Sequence, residues 1–292
     1  MKRLTSLLAV TIMAMSGLVL VSGLGARATT PGANGLIVFS GDSGEGIELF
    51  TINEDGTDLT QLTDIEGDAL GAEWSSDGER ITFGLEDATH AAIVTMNADG
   101  SGMTELPSTG LEFQPAFTPD GTQLVYACDC PPKGSGIFIM DVDGTDRRRL
   151  TTNPFENASD TDPNISPDGQ TITFVRLKVE HEQQALFAID IDGTNLRRLT
   201  PYRLEVGVKH DWAPNGRRIA IIPYADHPRG LSPQVATIGP DGSHLRILTR
   251  ARADQGALTG SYSPNGRWIV YRLENTERER FRLFKIHPDG SG

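Results

Sequence analysis

Pro163-Asn164-Ile165-Ser166-Pro167-Asp168-Gly169 leads into Ile172-Thr173-Phe174, and after a short gap comes Phe187-Ala188-Ile189-Asp190-Ile191-Asp192-Gly193-Thr194. This stretch decides the fold. Ile172 and Phe174 stand two apart, as do Phe187 and Ile189, so each pair shares one face of an extended strand. Asp168-Gly169 and Asp192-Gly193 mark tight turns, because glycine takes positive φ at no steric cost. Pro167 presets φ ahead of the first turn. Leu199-Thr200 closes the unit.

The unit recurs along the chain. The first turn has glycines at Gly78, Gly121, Gly169, Gly216 and Gly266, and the second at Gly56, Gly100, Gly144, Gly193, Gly242 and Gly290. Intervals of about 43–50 residues are those of a repeat architecture. Four residues before the first glycine stand Trp74, Phe117, Ile165, Trp212 and Tyr262, and six past the second stand Leu62, Leu106, Leu150, Leu199 and Leu248. Each unit therefore reads as four short strands, a to d, with tight a–b and c–d turns. Helical periodicity is absent after residue 30. A β-sandwich needs no such regular repeat, whereas four-strand units at this period mark a propeller. The expected fold is all-β, a β-propeller of six four-stranded blades over residues 35–292. The first unit shows no clear strand a, and the last stops at Gly292 before a strand d. Residues 29–35 are expected to supply either a poor first strand or an outer clasp for the last blade.

Met1-Lys2-Arg3, the apolar run from Leu4 to Leu24 and Ala26-Arg27-Ala28 have the pattern of a secretory leader over residues 1–28, with 29–34 a short connecting segment. An uncleaved anchor is the alternative. The chain carries a net charge of -13, which argues against nucleic-acid binding. Localisation is expected to be periplasmic or extracellular.

The columns resemble the TolB-like propeller repeat. The resemblance rests on Glu73-Trp74-Ser75-Ser76-Asp77-Gly78, Pro115-Ala116-Phe117-Thr118-Pro119-Asp120-Gly121 and the closing pairs Leu62-Thr63, Leu150-Thr151, Leu199-Thr200 and Leu248-Thr249. It implies a propeller of the envelope, although true TolB carries an α/β domain ahead of its propeller and works with the Tol–Pal apparatus. Between the leader and the first repeat there is no room for that domain. The same repeat forms the propeller of prolyl-oligopeptidase-like enzymes, yet no Gly-x-Ser-x-Gly nucleophile elbow occurs here.

Little else points to catalysis, and no cofactor is expected. His210-Asp211 precedes Trp212 at an innermost strand, and His227 lies in the b–c loop of the same unit. Imidazole and carboxylate suit zinc or manganese. Lyases acting on pectic fragments use a comparable rim site in a related propeller. Cys128 and Cys130 stand two apart; a local disulfide, free thiols and metal binding are all open at this point. Arg147, Arg148, Arg149, Arg197 and Arg198 form a basic stripe on strand d, read as edge protection or as docking to an anionic envelope surface. The b–c and d–a loops share one rim and vary in length, so partner-binding residues are expected among Tyr202, Arg203, Tyr224, Arg229, Leu231 and Lys133. The expected function is a non-catalytic, exported scaffold that binds a protein or peptide. The alternatives are a metal-dependent lyase or hydrolase, and a structural propeller without a specific ligand.

Overall fold

A computed structural model describes residues 21–24, 35–132, 134–153, 158–178, 183–224, 232–252, 254–275 and 280–292. They form a ring of six antiparallel sheets. Blade 1 holds β1 (Val21–Leu24), β2 (Ile37–Asp42), β3 (Ile47–Ile52) and β4 (Thr60–Gln61). Blade 2 holds β5 (Asp68–Trp74), β6 (Arg80–Glu86), β7 (Ala91–Asn97) and β8 (Thr104–Glu105). Blade 3 holds β9 (Leu111–Phe117), β10 (Gln123–Cys130), β11 (Gly134–Asp141) and β12 (Arg148–Arg149). Blade 4 holds β13 (Ala158–Ile165), β14 (Thr171–Lys178), β15 (Gln183–Asp190) and β16 (Arg197–Arg198). Blade 5 holds β17 (Asp211–Trp212), β18 (Ile219–Ile221), β19 (Ala236–Ile238) and β20 (Arg246–Ile247). Blade 6 holds β21 (Gln255–Tyr262), β22 (Ile269–Asn275) and β23 (Arg280–Ile286). The six-bladed, all-β reading holds. Among the described residues the only helical element is a 3-10 turn, Tyr202–Leu204.

The innermost strand of blade 1 departs from expectation. It comes from Val21–Leu24, which pairs with β2. That strand falls inside the segment read as a leader. Residues 25–34 lie outside the described residues, and with them 29–34, expected to supply a first strand or an outer clasp.

The apolar columns stack the blades. Ile81, Phe83, Leu124, Tyr126, Ile172, Phe174, Ile219, Ile221 and Ile269 are all fully buried. Each such aliphatic or aromatic side chain contributes about 1.5–3 kcal/mol by leaving water. The clusters run between neighbouring blades: Leu150 of blade 3 packs with Ile165, Ile172 and Phe174 of blade 4. Strand-c rings lie against strand-b rings, as in Phe174–Phe187 and Tyr126–Phe138.

Polar groups lock the turns. In each c–d turn the Asp carboxylate accepts from the residue two places on: Asp143 accepts from Thr145 N at 2.9 Å and Oγ1 at 2.6 Å, and Asp192 does the same with Thr194. These hydrogen bonds, side chain first, hold the Asp143 and Asp192 carboxyls below their usual range. In the a–b turns a hydroxyl two places before the acid closes the loop: Thr118 Oγ1 donates to Asp120 and Ser166 Oγ to Asp168, both at 2.6 Å. The strand-d threonines act likewise. Thr63, Thr151, Thr200 and Thr249 each accept, through Oγ1, the strand-c amide of Leu49, Ile137, Leu186 or Val235 at 2.8–2.9 Å. The Leu-Thr pair thus buries its leucine, fully at Leu150, Leu199 and Leu248 and partly at Leu62, and pins the end of strand d with its threonine.

Candidate functional site

The strand-a elements surround the central channel. Four of them, β5, β9, β13 and β21, carry a bulge at the same place, just ahead of the column residue. Strand pairing shifts between Leu70 and Glu73 and between Thr161 and Asn164. Positive φ occurs at Gly71 (64°), Gln114 (55°), Asp162 (52°) and Lys209 (78°). A non-glycine residue there costs about 1 kcal/mol or more, and such strain concentrates at functional sites. The bulges form a chain around the channel. Gln114 Oε1 accepts from Asp162 N at 2.7 Å, and Asp162 Oδ2 accepts from Lys209 N at 2.6 Å. Lys209 Nζ lies 3.3 Å from Asp162 Oδ1, and His210 Nδ1 lies 3.3 Å from Oδ2.

This cluster is charged and largely buried. Asp162 is 5% exposed. Burial alone would raise its pKa, but the Lys209 charge and then the His210 contact hold it far below the usual carboxylate range. Burial likewise opposes charge on Lys209; Asp162, and then Glu73 of blade 2, overcome it and raise the ammonium pKa. The cluster is therefore a satisfied ion pair in the channel wall, with an acid of blade 2 adding to its field.

The sequence-predicted residues distribute differently. His210 faces blade 4, where Nε2 pairs with Thr173 Oγ1 at 2.8 Å; that hydroxyl also accepts from Trp212 Nε1 at 3.0 Å. Asp211 faces blade 6, where Oδ2 accepts from Tyr262 N at 2.6 Å. The two side chains engage opposite neighbours and do not converge. His227, Arg229, Leu231 and Lys133 lie outside the described residues. Tyr202 lies at the outer edge of blade 4. Its ring tilts against Phe187 at 6.1 Å, with Lys178 Nζ 4.0 Å above it. Burial raises the Tyr202 pKa. Arg203 is exposed beside it. Tyr224 packs on Gly207, where an added Cβ would strike its ring. Burial first, and then Glu274, raises its pKa.

The strand-d arginines hold contacts within the chain. Arg148 donates to Asp192 O at 3.0 Å and Ile191 O at 3.1 Å, stitching blade 3 to the turn of blade 4. Arg147 pairs with buried Glu112, and Arg149 donates to Ser135 O at 2.6 Å. Arg197 pairs with Asp190 at 3.2 Å, and Arg198 lies over the Tyr202 ring at 5.4 Å. Cys128 and Cys130 are joined by a disulfide across Cα atoms 5.4 Å apart. Glu112 lies close to both sulfurs.

Gln114, Asp162 and Lys209 escaped the sequence reading. Aligning the columns would have shown them, since Gly71, Gln114, Asp162 and Lys209 all stand three places before Trp74, Phe117, Ile165 and Trp212.

Comparison with known proteins matches this fold. The chain is 28% identical over 167 residues to the Protein TolB homolog of Chlorobium luteolum, covering 56% of this chain and 36% of that protein. It spans between about a fifth and three fifths of the length of the curated relatives it matches. The structure of a putative TolB from Agrobacterium tumefaciens superposes with a TM-score of 0.69 at 19% identity, over 82% of this chain and 84% of that one. An oligogalacturonate lyase in complex with manganese shares the fold at a TM-score of 0.58 and 15% identity, over 85% and 73% of the two chains. Among the described residues no helix is long and apolar enough to cross a membrane. Residues 106–291, well over half of the chain, match the profile of the TolB beta propeller domain (PD40), and the chain belongs to that family.

Proposed function

We propose that this propeller is a non-catalytic scaffold, exported to the cell envelope, that binds a protein or peptide on the rim carrying its b–c and d–a loops. The observation that carries the reading is the difference between the rims. On one rim the turns are alike, and each spends its Asp and Ser or Thr groups on itself. Little side-chain chemistry is left there to select a partner. The other rim holds loops of unequal length, including the one that follows the Cys128–Cys130 disulfide at the end of β10 and the Tyr202–Leu204 turn. Variable loops on a rigid scaffold are where specificity resides.

The test is capture of partners from the exported fraction. Replacing Arg203, Tyr224 and Arg229 together by Ala weakens capture, by about 1–3 kcal/mol for each true anchor. Asp143→Ala, on the turn rim, leaves it unchanged. Equal loss from both changes sinks the assignment of the rim.

The family fold also supports a second reading, a metal-dependent lyase, since the manganese-bound lyase shares the fold. Here His210 and Asp211 turn to different blades, so a shared ion would require them to abandon Thr173 and Tyr262. Elemental analysis of purified protein decides between the two. A stoichiometric transition metal that is lost in His210→Ala favours the enzyme.

A further inference from the structure

Cys128 and Cys130 share one face of β10. Opposite Cys128 in the ladder, on β9, stands Glu112. Its carboxylate lies within 4.8 Å of both sulfurs. The three groups are shut away from water: Glu112 and Cys128 are fully buried, and Cys130 is 6% exposed. Gly110 packs directly on Cys130, so that a Cβ at that residue would stand 3.0 Å from the sulfur. Only one oxygen of the carboxylate is engaged. Oε1 accepts from Thr109 N at 3.1 Å, from Thr109 Oγ1 at 3.2 Å and from Arg147 Nη1. Oε2 is buried and has no hydrogen-bond partner among the described residues. A charged acceptor left over in the interior calls for a ligand.

The donor set selects that ligand. Two thiolates and a carboxylate are all ligands of zinc, which takes four donors in a tetrahedron. Calcium and magnesium take oxygen alone. The Cα atoms of the two cysteines are 5.4 Å apart, which keeps both sulfurs within reach of one ion at about 2.3 Å from each. Charge balance also holds. A disulfide is neutral, and so is a zinc ion with two thiolates. The Arg147–Glu112 pair therefore stays balanced in both states, and neither state strands a net charge in the interior.

We propose that reduction of the Cys128–Cys130 disulfide by an external dithiol creates a zinc site from the two cysteine sulfurs and the Glu112 carboxylate. The dithiol gives up two electrons and two protons. The Cys128–Cys130 bond breaks, both cysteines become thiols, and the reductant leaves as its own disulfide. Zinc then displaces the two thiol protons. Water fills the fourth position, as in zinc sites with three protein ligands. A disulfide-bearing oxidant reverses the exchange and releases the ion.

The probe is zinc itself. The full chain is reduced with dithiothreitol, separated from it without oxygen, and titrated with zinc against a chromophoric chelator. The reduced chain is expected to bind one ion, and both thiols then lose their reactivity toward a thiol reagent. The oxidised chain binds none. Cys128→Ser abolishes uptake. Glu112→Gln keeps both thiols and weakens binding at least about tenfold, the loss seen on removing even a group that only supports a ligand. Where Glu112→Gln disturbs the fold, zinc-edge X-ray absorption of the unaltered reduced chain counts the donors instead: two sulfurs at about 2.3 Å and oxygen at about 2.0–2.2 Å. The proposal is overturned if the reduced chain takes up no zinc, if the oxidised chain takes up as much, or if Glu112→Gln binds with unchanged affinity. A sulfur count other than two, or a shell without oxygen, also overturns it. Loss of the ion in His210→Ala would move it to the channel wall and overturn it as well.

Discussion

Blades 4 and 6 carry the same columns and finish them differently. Ile172, Phe174, Phe187 and Ile189 in blade 4 correspond to Ile269, Tyr271, Phe284 and Ile286 in blade 6, and the stacked rings lie 5.8 and 5.7 Å apart. Beyond the columns the two diverge. In blade 4 Arg176 grips Asp160 with two bonds of 2.6 and 2.7 Å, and Thr151 of blade 3 donates to the same carboxylate at 2.6 Å. Tyr202 then covers Phe187. In blade 6 the residue at the place of Arg176 is Leu273, and Phe284 stays 40% exposed. Apolar columns alone suffice to stack a sheet. Sealing its edge requires polar groups placed one by one.

The largest test of this difference removes the seal of blade 4. Asp160→Ala leaves the Arg176 guanidinium buried and unpaired, which costs about 3–5 kcal/mol. Leu273→Ala, at the matching place in blade 6, costs no more than about 2 kcal/mol because the site already opens on a groove lined by Leu248, Tyr271, Leu273 and Ile286. Urea unfolding of both variants measures the gap. Equal costs would mean that the ion pair does not hold the joint between blades 3 and 4.

Acid addresses the channel. Asp162 has a folded pKa well below its usual value. Its contribution is complete above the unfolded value of about 3.9 and is lost as pH falls through the lower folded value. Asp162→Asn therefore flattens the decline of stability below about pH 4. An unchanged slope would show that Lys209 and His210 do not stabilise the ionised form.

Reading the sequence reached the columns easily, because a period of two and a recurring glycine survive divergence of the residues between them. It also reached the Leu-Thr pair, but not what the threonine does. That role depends on a strand-c amide 14 residues away, as between Leu186 and Thr200. Nor did it reach the channel. Asp162 and Lys209 are 47 residues apart and meet only because neighbouring blades place equivalent bulges side by side. Arg147, Arg148 and Arg149 look like one charged run, yet they face three ways: to buried Glu112, to the turn of blade 4 and to Ser135 of their own blade. A one-dimensional reading cannot separate them. The first strand of blade 1 escaped for another reason, because the apolar pattern of Val21–Leu24 serves a leader as well as a strand. N-terminal sequencing of exported protein separates these roles: a chain beginning at Thr29 has lost β1.

Closing threonines give a smaller and cleaner measure. Thr200→Val keeps the shape but leaves Leu186 N–H without its hydroxyl acceptor. A buried donor stranded in this way costs about 1–2 kcal/mol. A cost near zero, read by thermal and urea unfolding together, would mean that strand d is held by its leucine alone.

Two turn glycines sharpen the comparison of joints. Gly242 and Gly290 hold the same φ of 81° in consecutive c–d turns. Alanine in the left-handed region costs about 1 kcal/mol from backbone strain alone. Their surroundings differ. At Gly242 a Cβ would land on the carbonyl oxygen of Leu199, the strand-d leucine of blade 4. At Gly290 the same atom would meet only Leu248, at 3.7–3.8 Å, an ordinary contact. Backbone oxygen cannot swing aside as a side chain can, so Gly242→Ala must displace the end of strand d. Gly290→Ala is expected to cost about 1 kcal/mol, the backbone contribution by itself, and Gly242→Ala to cost more. The difference between the two isolates how tightly blade 5 is pressed against the closing strand of blade 4. If both variants lose the same stability, the joint between blades 4 and 5 yields as readily as that between blades 5 and 6, and the looseness assigned to blade 6 is confined to its outer edge.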